Sequence, residues 1–293
     1  MSSIVPGIRR LVFNADDFGL DPAVNEAVES GFCNGVLTSA SLMPGAPAAA
    51  DAVQRARKLP GLAVGLHLTL VDGSPVLPPD RVPALVGSDG RFAPDLWKRS
   101  FRYFFLPQVR RQLEDEIRAQ YAAFSDTGLH LDHANAHKHL HLHPTVLDLM
   151  LRVGREHGLR AVRVPREPVS LARKIAPMAW SAVVGAGMLS PWIGRMARRI
   201  RGYGLFSNDL LLGLQATGRM DLPRVLRILA LLPPGSTTEI YFHPAVEQTS
   251  FLRQLMPDYS PVAEWQALCS PELRAALEKQ DIEVGSYSDF SRR

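Results

Sequence analysis

Histidine is concentrated in one place in this 293-residue chain. His133, His137, His139, His141 and His143, five of the nine histidines, fall within eleven residues. Imidazole binds divalent transition metals and carries protons near neutral pH, so the run is a candidate for metal ligation, for acid–base work, or for both. Three further groups could act with it. Asp16 and Asp17 are adjacent acids. At an extended strand end they point to opposite sides, one toward a cation and the other toward a water. The alternative for this pair is a turn, with Asp17 capping the next helix. His67 sits in Gly65-Leu66-His67-Leu68, where the alternative is a core histidine satisfied by backbone. His243 follows Glu239-Ile240-Tyr241-Phe242 and precedes Pro244. One acid and two histidines from separate strands make an Asp–His–His site with positions left open for water, which is catalytic rather than structural. Alternation along an extended chain puts all five clustered histidines on one side, and they cannot all reach one ion. His143, just before Pro144, is expected to cap or pack; His130 and His157 are expected on the surface.

The elements that must position these groups alternate in type. Leu11–Asn14, Thr38–Met43, Ala63–Leu70, Leu129–Asp132, Ala161–Val164, Thr238–Phe242 and Ile282–Ser286 read as strands. Helical patterns run over Pro22–Cys33, Ala46–Leu59, Val109–Phe124, Pro144–His157, Leu222–Leu232 and Pro271–Lys279. Asp21 caps the first of these, and Gly158 stops the fourth. Repeated β-then-α order predicts an α/β fold with a parallel sheet, a (β/α) barrel ahead of a doubly wound open sheet. The candidate groups gather at the C-terminal ends of strands, where parallel α/β folds build active sites. Residues 1–293 read as one barrel domain with insertions at about 71–108 and 167–221.

Bulk properties narrow the class. The 46% apolar and 21% charged content is that of a soluble globular protein. No run of about 18 apolar residues predicts a spanning helix. Met1–Arg10 lacks the apolar region of a secretory signal. Cys33 and Cys269 show no CxxC spacing, which fits structural thiols in a reducing, cytoplasmic compartment. The net charge of +4 says little about partners, but its placement says more. Leu171–Arg201 holds Arg173, Lys174, Arg195, Arg198, Arg199 and Arg201 with Trp180, Trp192, Met188 and Met196, and no acid. The earlier insertion holds Trp97, Lys98, Arg99, Phe101, Arg102, Tyr103, Phe104, Phe105, Arg110 and Arg111. Basic residues mixed with aromatics suit an anionic membrane surface; nucleic acid and a buried helix with a basic end are the rival readings.

Four motifs, in order, resemble the YdjC-like carbohydrate deacetylase family: Asn14-Ala15-Asp16-Asp17-Phe18-Gly19, Gly65-Leu66-His67-Leu68, His137-Lys138-His139-Leu140-His141 and Phe242-His243-Pro244. The resemblance spans about residues 9 to 288. It implies a distorted or incomplete TIM-like (β/α) barrel that uses a divalent metal, zinc or magnesium, to remove acetyl groups from N-acetylated sugars. By the same resemblance Asp17, His67 and His137 are metal ligands, Asp16 is the base and His243 assists acid catalysis. The family's Asp-Ser-His start reads Asn135-Ala136-His137 here, so Asp132-His133 could be the matching start, with His133 as the ligand. His139 and His141 are expected to line or support the site. Arg163 and Arg166 are expected to bind sugar hydroxyls or to hold carboxylates in place, with ion pairing at the rim as the alternative. Thr38–Met43 and His67–Gly73 are similar to the hopanoid-biosynthesis-associated subgroup, which implies an N-acetylglucosaminyl hopanoid substrate. Expected partners are therefore an amino-sugar or glycolipid substrate, an anionic membrane touched peripherally at the inner membrane, and a second copy in a homodimer, with no nucleic acid. A metal-dependent glycosidase or phosphodiesterase, or a silent sugar-binding barrel, are the rival functions.

Overall fold

The computed structural model describes residues 7–92 and 104–291. Trp97, Lys98, Arg99, Phe101, Arg102 and Tyr103 lie outside the described residues. Among the described residues seven strands form one sheet: β1 (Arg9–Phe18), β2 (Ser39–Leu42), β3 (Ala63–Leu68), β4 (Leu131–Ala136), β5 (Leu210–Leu212), β6 (Thr237–Phe242) and β7 (Ile282–Val284). Their order is β4-β3-β2-β1-β6-β5, with β7 pairing the start of β1. Every pairing is parallel. β1 is central and buried from Leu11 onward, with the apolar Leu11–Phe13 followed by the buried polar Asn14, Asp16 and Asp17.

The sheet curls into a distorted (β/α) barrel. Its closure between β4 and β5 is irregular. The expected strand Ala161–Val164 survives only as two parallel bridges, Ala134↔Val162 and Ala161↔Phe206. The amide of Leu211 then donates to the Arg166 carbonyl. The side chain of Asn208 replaces a ladder there, accepting from the Val164 amide and donating to the Val164 and Leu210 carbonyls.

The expected helices form within a few residues of their sequence boundaries, from Pro22–Cys33 to Pro271–Glu278. Asp21 caps the first by accepting from the Ala23 amide, and Pro22 occupies its first turn. The segment 167–221 departs from the expectation of an insertion throughout: it holds the helices Val169–Ile175 and Trp180–Gly202, but β5 within it is a strand of the barrel itself. Three leucines gave too short a pattern to register as a strand. Among the described residues no helix is long and apolar enough to cross a membrane.

Candidate active site

The site is built where β1, β3, β4 and β6 end. β1 carries Asp16 and Asp17 as part of the strand, not beyond it, and its register against β2 shifts between Ala15 and Phe18. Asp17 has a left-handed φ of 62°. This bulge breaks the simple alternation. The two carboxylates therefore line one cavity of about 430 Å³ together, where opposite sides had been expected.

Asp17 meets two histidines. Its Oδ1 lies 3.2 Å from His67 Nε2 and 3.0 Å from His137 Nδ1, and those two nitrogens are 3.4 Å apart. A tetrahedral ion with bonds of about 2.0–2.1 Å has ligand–ligand edges of about 3.3–3.4 Å, so this triangle matches one face of such a site. The tautomer of His67 follows from its neighbour. Asn135 Nδ2 donates to Asp16 Oδ1 and Ser41 Oγ, so its Oδ1 must accept from His67 Nδ1, at 2.6 Å. That leaves the Nε2 lone pair facing Asp17. The buried Asp17 Oδ2 has no partner among the described residues. Burial favours its protonation, but His137 and His67 outweigh this and hold the carboxyl well below the usual range. An anionic carboxylate with an orphaned oxygen, beside the His67 Nε2 lone pair and the His137 Nδ1 nitrogen, fits a divalent cation.

Asp16 is held differently. It accepts from Asn14 Nδ2 at 2.9 Å, Asn135 Nδ2 at 3.1 Å, and Arg163 through Nη1 at 2.6 Å and Nη2 at 2.9 Å. Burial pushes its pKa up, yet the Arg163 guanidinium overrides that and leaves it far below the ordinary carboxylate value. Arg163 is fully buried and also donates to Glu239, from Nε at 3.0 Å and Nη2 at 2.5 Å. Glu239 also accepts from the Tyr287 hydroxyl at 2.5 Å. Of the two roles expected for Arg163, its contacts match the holding of carboxylates, since the fully buried guanidinium bonds Asp16 and Glu239. Arg166 lies in a neighbouring cavity instead.

The histidine run does not continue as a strand. The chain leaves β4 at Ala136 and turns through His137–Leu142, with Lys138 and His139 left-handed at φ 51° and 53°. The five histidines consequently do not share a side. His137 faces Asp17. His133 lies beneath, where Ser41 Oγ donates to its Nε2 at 3.0 Å and its Nδ1 donates to Asp132 at 2.9 Å. It stacks on Tyr287 and presses so close to β3 that a Cβ on Gly65 would come within 2.5 Å of its ring. His139 lines the cavity edge-on to Tyr241. His141 is buried, donates from Nε2 to the Arg163 carbonyl at 3.0 Å, and is pushed down to about 3 by burial and by Arg163. His143 caps the helix Pro144–Glu156 by accepting from the Thr145 amide. His130 is exposed, while His157 is half-buried and stacked on Tyr121.

His243 faces the carboxylates from the end of β6, between the rings of Tyr241 and Tyr259. Burial lowers its pKa, and Asp17 and Asp16 counteract part of this. Its backbone amide donates to Glu264 Oε2 at 2.5 Å. Glu264 also receives the Met220 amide at 2.9 Å and is pushed up to about 7 by burial.

Two motif-bearing acids, two histidine-bearing strand ends and a facing histidine thus converge on one cavity, in the order the family motifs run. The sequence matches the YdjC-like protein family over residues 10–279. The chain belongs to the YdjC-like family. A carbohydrate deacetylase of Brevibacillus brevis is 38% identical over 281 residues, covering 96% of this chain and 99% of that one. A carbohydrate deacetylase of Vibrio vulnificus (strain CMCP6) is 30% identical, with 96% of each covered. A chitooligosaccharide deacetylase of Salmonella schwarzengrund is 29% identical over 96% of this chain and 99% of that one. The fold is shared with a crystal structure of a putative cellobiose-phosphate cleavage protein from Enterococcus faecalis V583. Its TM-score is 0.75 at 24% identity, covering 97% and 99% of the two chains.

In this YdjC-like protein several contributing groups escaped the sequence reading. Glu239 stood in a quoted strand but was given no role. Glu264 and Tyr259 lie in the last third of the chain with no motif around them. The only signal for Glu239 was an acid in an otherwise apolar and β-branched strand, Thr237–Phe242, which needs a buried cation to offset it.

Proposed function

We propose that this YdjC-like protein is a metal-dependent carbohydrate N-deacetylase that hydrolyses the acetamide of an N-acetylglucosaminyl substrate. The observation that carries this is the triangle Asp17–His67–His137, with Asp16 and His243 opening onto the same cavity. Asp17, His67 and His137 would hold a divalent metal, zinc or magnesium, which when bound acidifies water and polarises the acetyl carbonyl. Asp16 takes the proton of the attacking water. A carboxylate held this low is a weak base and accepts a proton only from an acidified water. Asp16 and the ligand triangle therefore work as a unit. Arg163, Asn14 and Asn135 fix the orientation of Asp16, leaving one lone pair of Oδ2 free. His243 delivers a proton to the leaving amine, and the two nearby carboxylates favour the cation it needs for this. Asp17→Asn and His67→Ala are expected to abolish metal uptake, read by elemental mass spectrometry, and acetate release together. Turnover at the wild-type rate in Asp17→Asn would sink the assignment.

The finer substrate we propose is an N-acetylglucosaminyl hopanoid. Ser39 and Ser41, within the stretch that carried that resemblance, hydrogen-bond Asn14, and Ser41 also contacts His133 and Asn135, so these residues brace the site. The exposed Trp180, Met188, Phe104 and Phe105, together with Arg173 and Lys174, support peripheral docking on anionic lipid. Mass spectrometry of the acetylated glucosaminyl hopanoid and of chitooligosaccharides, each incubated with protein and defined metals, tests the choice. Acetate lost only from the oligosaccharide moves the substrate to that class. Binding without acetate loss from either leaves a silent sugar-binding barrel.

A further inference from the structure

The ring of His243 is oriented without a hydrogen bond to its second nitrogen. It stands edge-on to Tyr241 and Tyr259, with ring centroids 5.5 and 5.1 Å away. The buried Nδ1 has no partner among the described residues. A histidine that moves protons is ordinarily set by the bond its second nitrogen makes. Here the packed rings and the backbone beneath the side chain must aim it instead.

That backbone is held by Glu264. The residue has no exposed surface and stands in the first turn of the helix Pro261–Leu268. Its Oε2 accepts the His243 amide at 2.5 Å, and its Oε1 accepts the Met220 amide at 2.9 Å. No cationic side chain pairs with it among the described residues. The start of the same helix is tied to the same two segments. The Ser260 amide donates to the Gly218 carbonyl at 2.7 Å, and the Ala245 amide donates to the Pro261 carbonyl at 3.2 Å. Tyr259 lies so close on Gly218 that a Cβ there would come within 2.3 Å of its ring. Glu264 thus joins the end of β6 to the segment that carries Leu214 and Thr217, and both segments line the catalytic cavity. A carboxylate suits this place because it offers one oxygen to each amide. Glutamine would offer one oxygen and turn its NH2 toward the other amide, donor against donor.

We infer that Glu264 is the positioning residue of His243, fixing through the main chain where the imidazole meets the departing nitrogen. The inference rests on the deacetylase reading, in which His243 protonates the leaving amine. The hydrogen bonds of Glu264 reach the acid and not the ligand triangle, so its loss should fall on the step that needs a proton on the leaving group.

The test compares two substrates of the metal-loaded protein, methyl N-acetylglucosaminide and its 2-S-acetyl-2-thio analogue. An amine leaves only when protonated, whereas a thiol with a pKa of about 8.5 leaves as the thiolate. In Glu264→Gln, kcat for the amide should fall at least about tenfold with KM within about twofold, a share of the factor of about 10²–10⁴ that a general acid supplies. For the thioester, kcat should stay within about threefold of the parent, since no proton is needed there. Glu264→Asp keeps the charge but retracts the carboxylate by one methylene. It should show the same split, and it decides the matter should Glu264→Gln not fold. Glu116→Gln is the control. Glu116 is a buried carboxylate on the helix Pro107–Asp126 that accepts the Val76 and Leu77 amides of the segment after β3. Its variant should leave the amide-to-thioester ratio of the parent unchanged. Equal losses on both substrates in the Glu264 variants, full amide turnover in Glu264→Asp, or the same split in Glu116→Gln each overturn the inference while acetate release still stands. Should the parent cleave neither substrate, the deacetylase reading fails separately. In that case, or if only one is cleaved, the His243 ring resonances of histidine-labelled protein decide. Assigned with His243→Gln, they should move in both Glu264 variants and stay in Glu116→Gln. Unmoved resonances in the Glu264 variants end the inference.

Discussion

Arg163 determines what Asp16 can do. A guanidinium with no exposed surface, clamped between Asp16 and Glu239, fixes the carboxylate and keeps it ionised at any working pH. Beside it, His141 is neutral at working pH, because burial and Arg163 both oppose its charge. The folded state binds this proton only near pH 3, whereas the unfolded chain binds it near pH 6.5. Between those values the unfolded state holds more protons. His141 therefore contributes stability in full above about pH 6.5, and loses it progressively as pH falls toward 3. The slope is at most about 1.4 kcal/mol per pH unit. Urea unfolding from pH 6.5 to 4.5 should show a shallower acid loss in His141→Gln than in the parent, and identical slopes would contradict the assignment. Much of this scale was legible beforehand. Asp16, Asp17, His67 and His243 were visible because rare polar types stand in apolar strand ends. Arg163 was ambiguous because its two acidic partners are 76 and 147 residues away in sequence.

At the scale of elements, the site depends on where strands stop. β4 stops at Ala136, and the tight turn that follows presents His137 to Asp17 and His67 while turning His139 to the cavity edge. Period-two reasoning cannot see such a turn, because it is imposed by packing around Lys138 and His139 and not by their own preferences. The first helix is better determined by its own sequence. Asp21 caps it and also accepts from Thr249 Oγ1 at 3.0 Å, joining the β1–helix corner to the segment beyond β6. Asp21→Ala should cost about 1–2 kcal/mol, measured by chemical denaturation, with both the cap and the tertiary bond lost. The helix Trp180–Gly202 stood in the sequence only as a rival reading, a buried helix with a basic end, for the opposite reason. Pro191 and several glycines break the helical reading, yet the helix runs through them.

At the scale of the molecule, barrel closure and the site share the same residues. Tyr287 and Ser288, from the last helix, Tyr287–Ser291, bond Glu239 and Asp132, so the C-terminus braces the floor beneath the ligand triangle. If Asp17, His67 and His137 hold an ion as proposed, removing it should leave Asp17 with only histidine protons to balance it. Chelation is expected to lower Tm reversibly, and returning metal at a hundredfold excess over its Kd should restore about 2.7 kcal/mol. An unchanged Tm across the chelator series would count against a resident cation. The barrel was legible from β-then-α order, whereas its seam at 161–164 was not, since side chains substitute for strand pairing there.

The four left-handed residues other than glycine among those described are Asp17, Asp72, Lys138 and His139, and all four line the catalytic cavity. Each such backbone costs about 1–2 kcal/mol, and asparagine tolerates it better than lysine. Lys138→Asn should therefore raise the melting midpoint even though it gives up an exposed ion pair to Asp72. A library selected only for heat resistance, with no substrate present, should thus accumulate its gains around this one cavity. The stability landscape would mark the active centre before any turnover was measured.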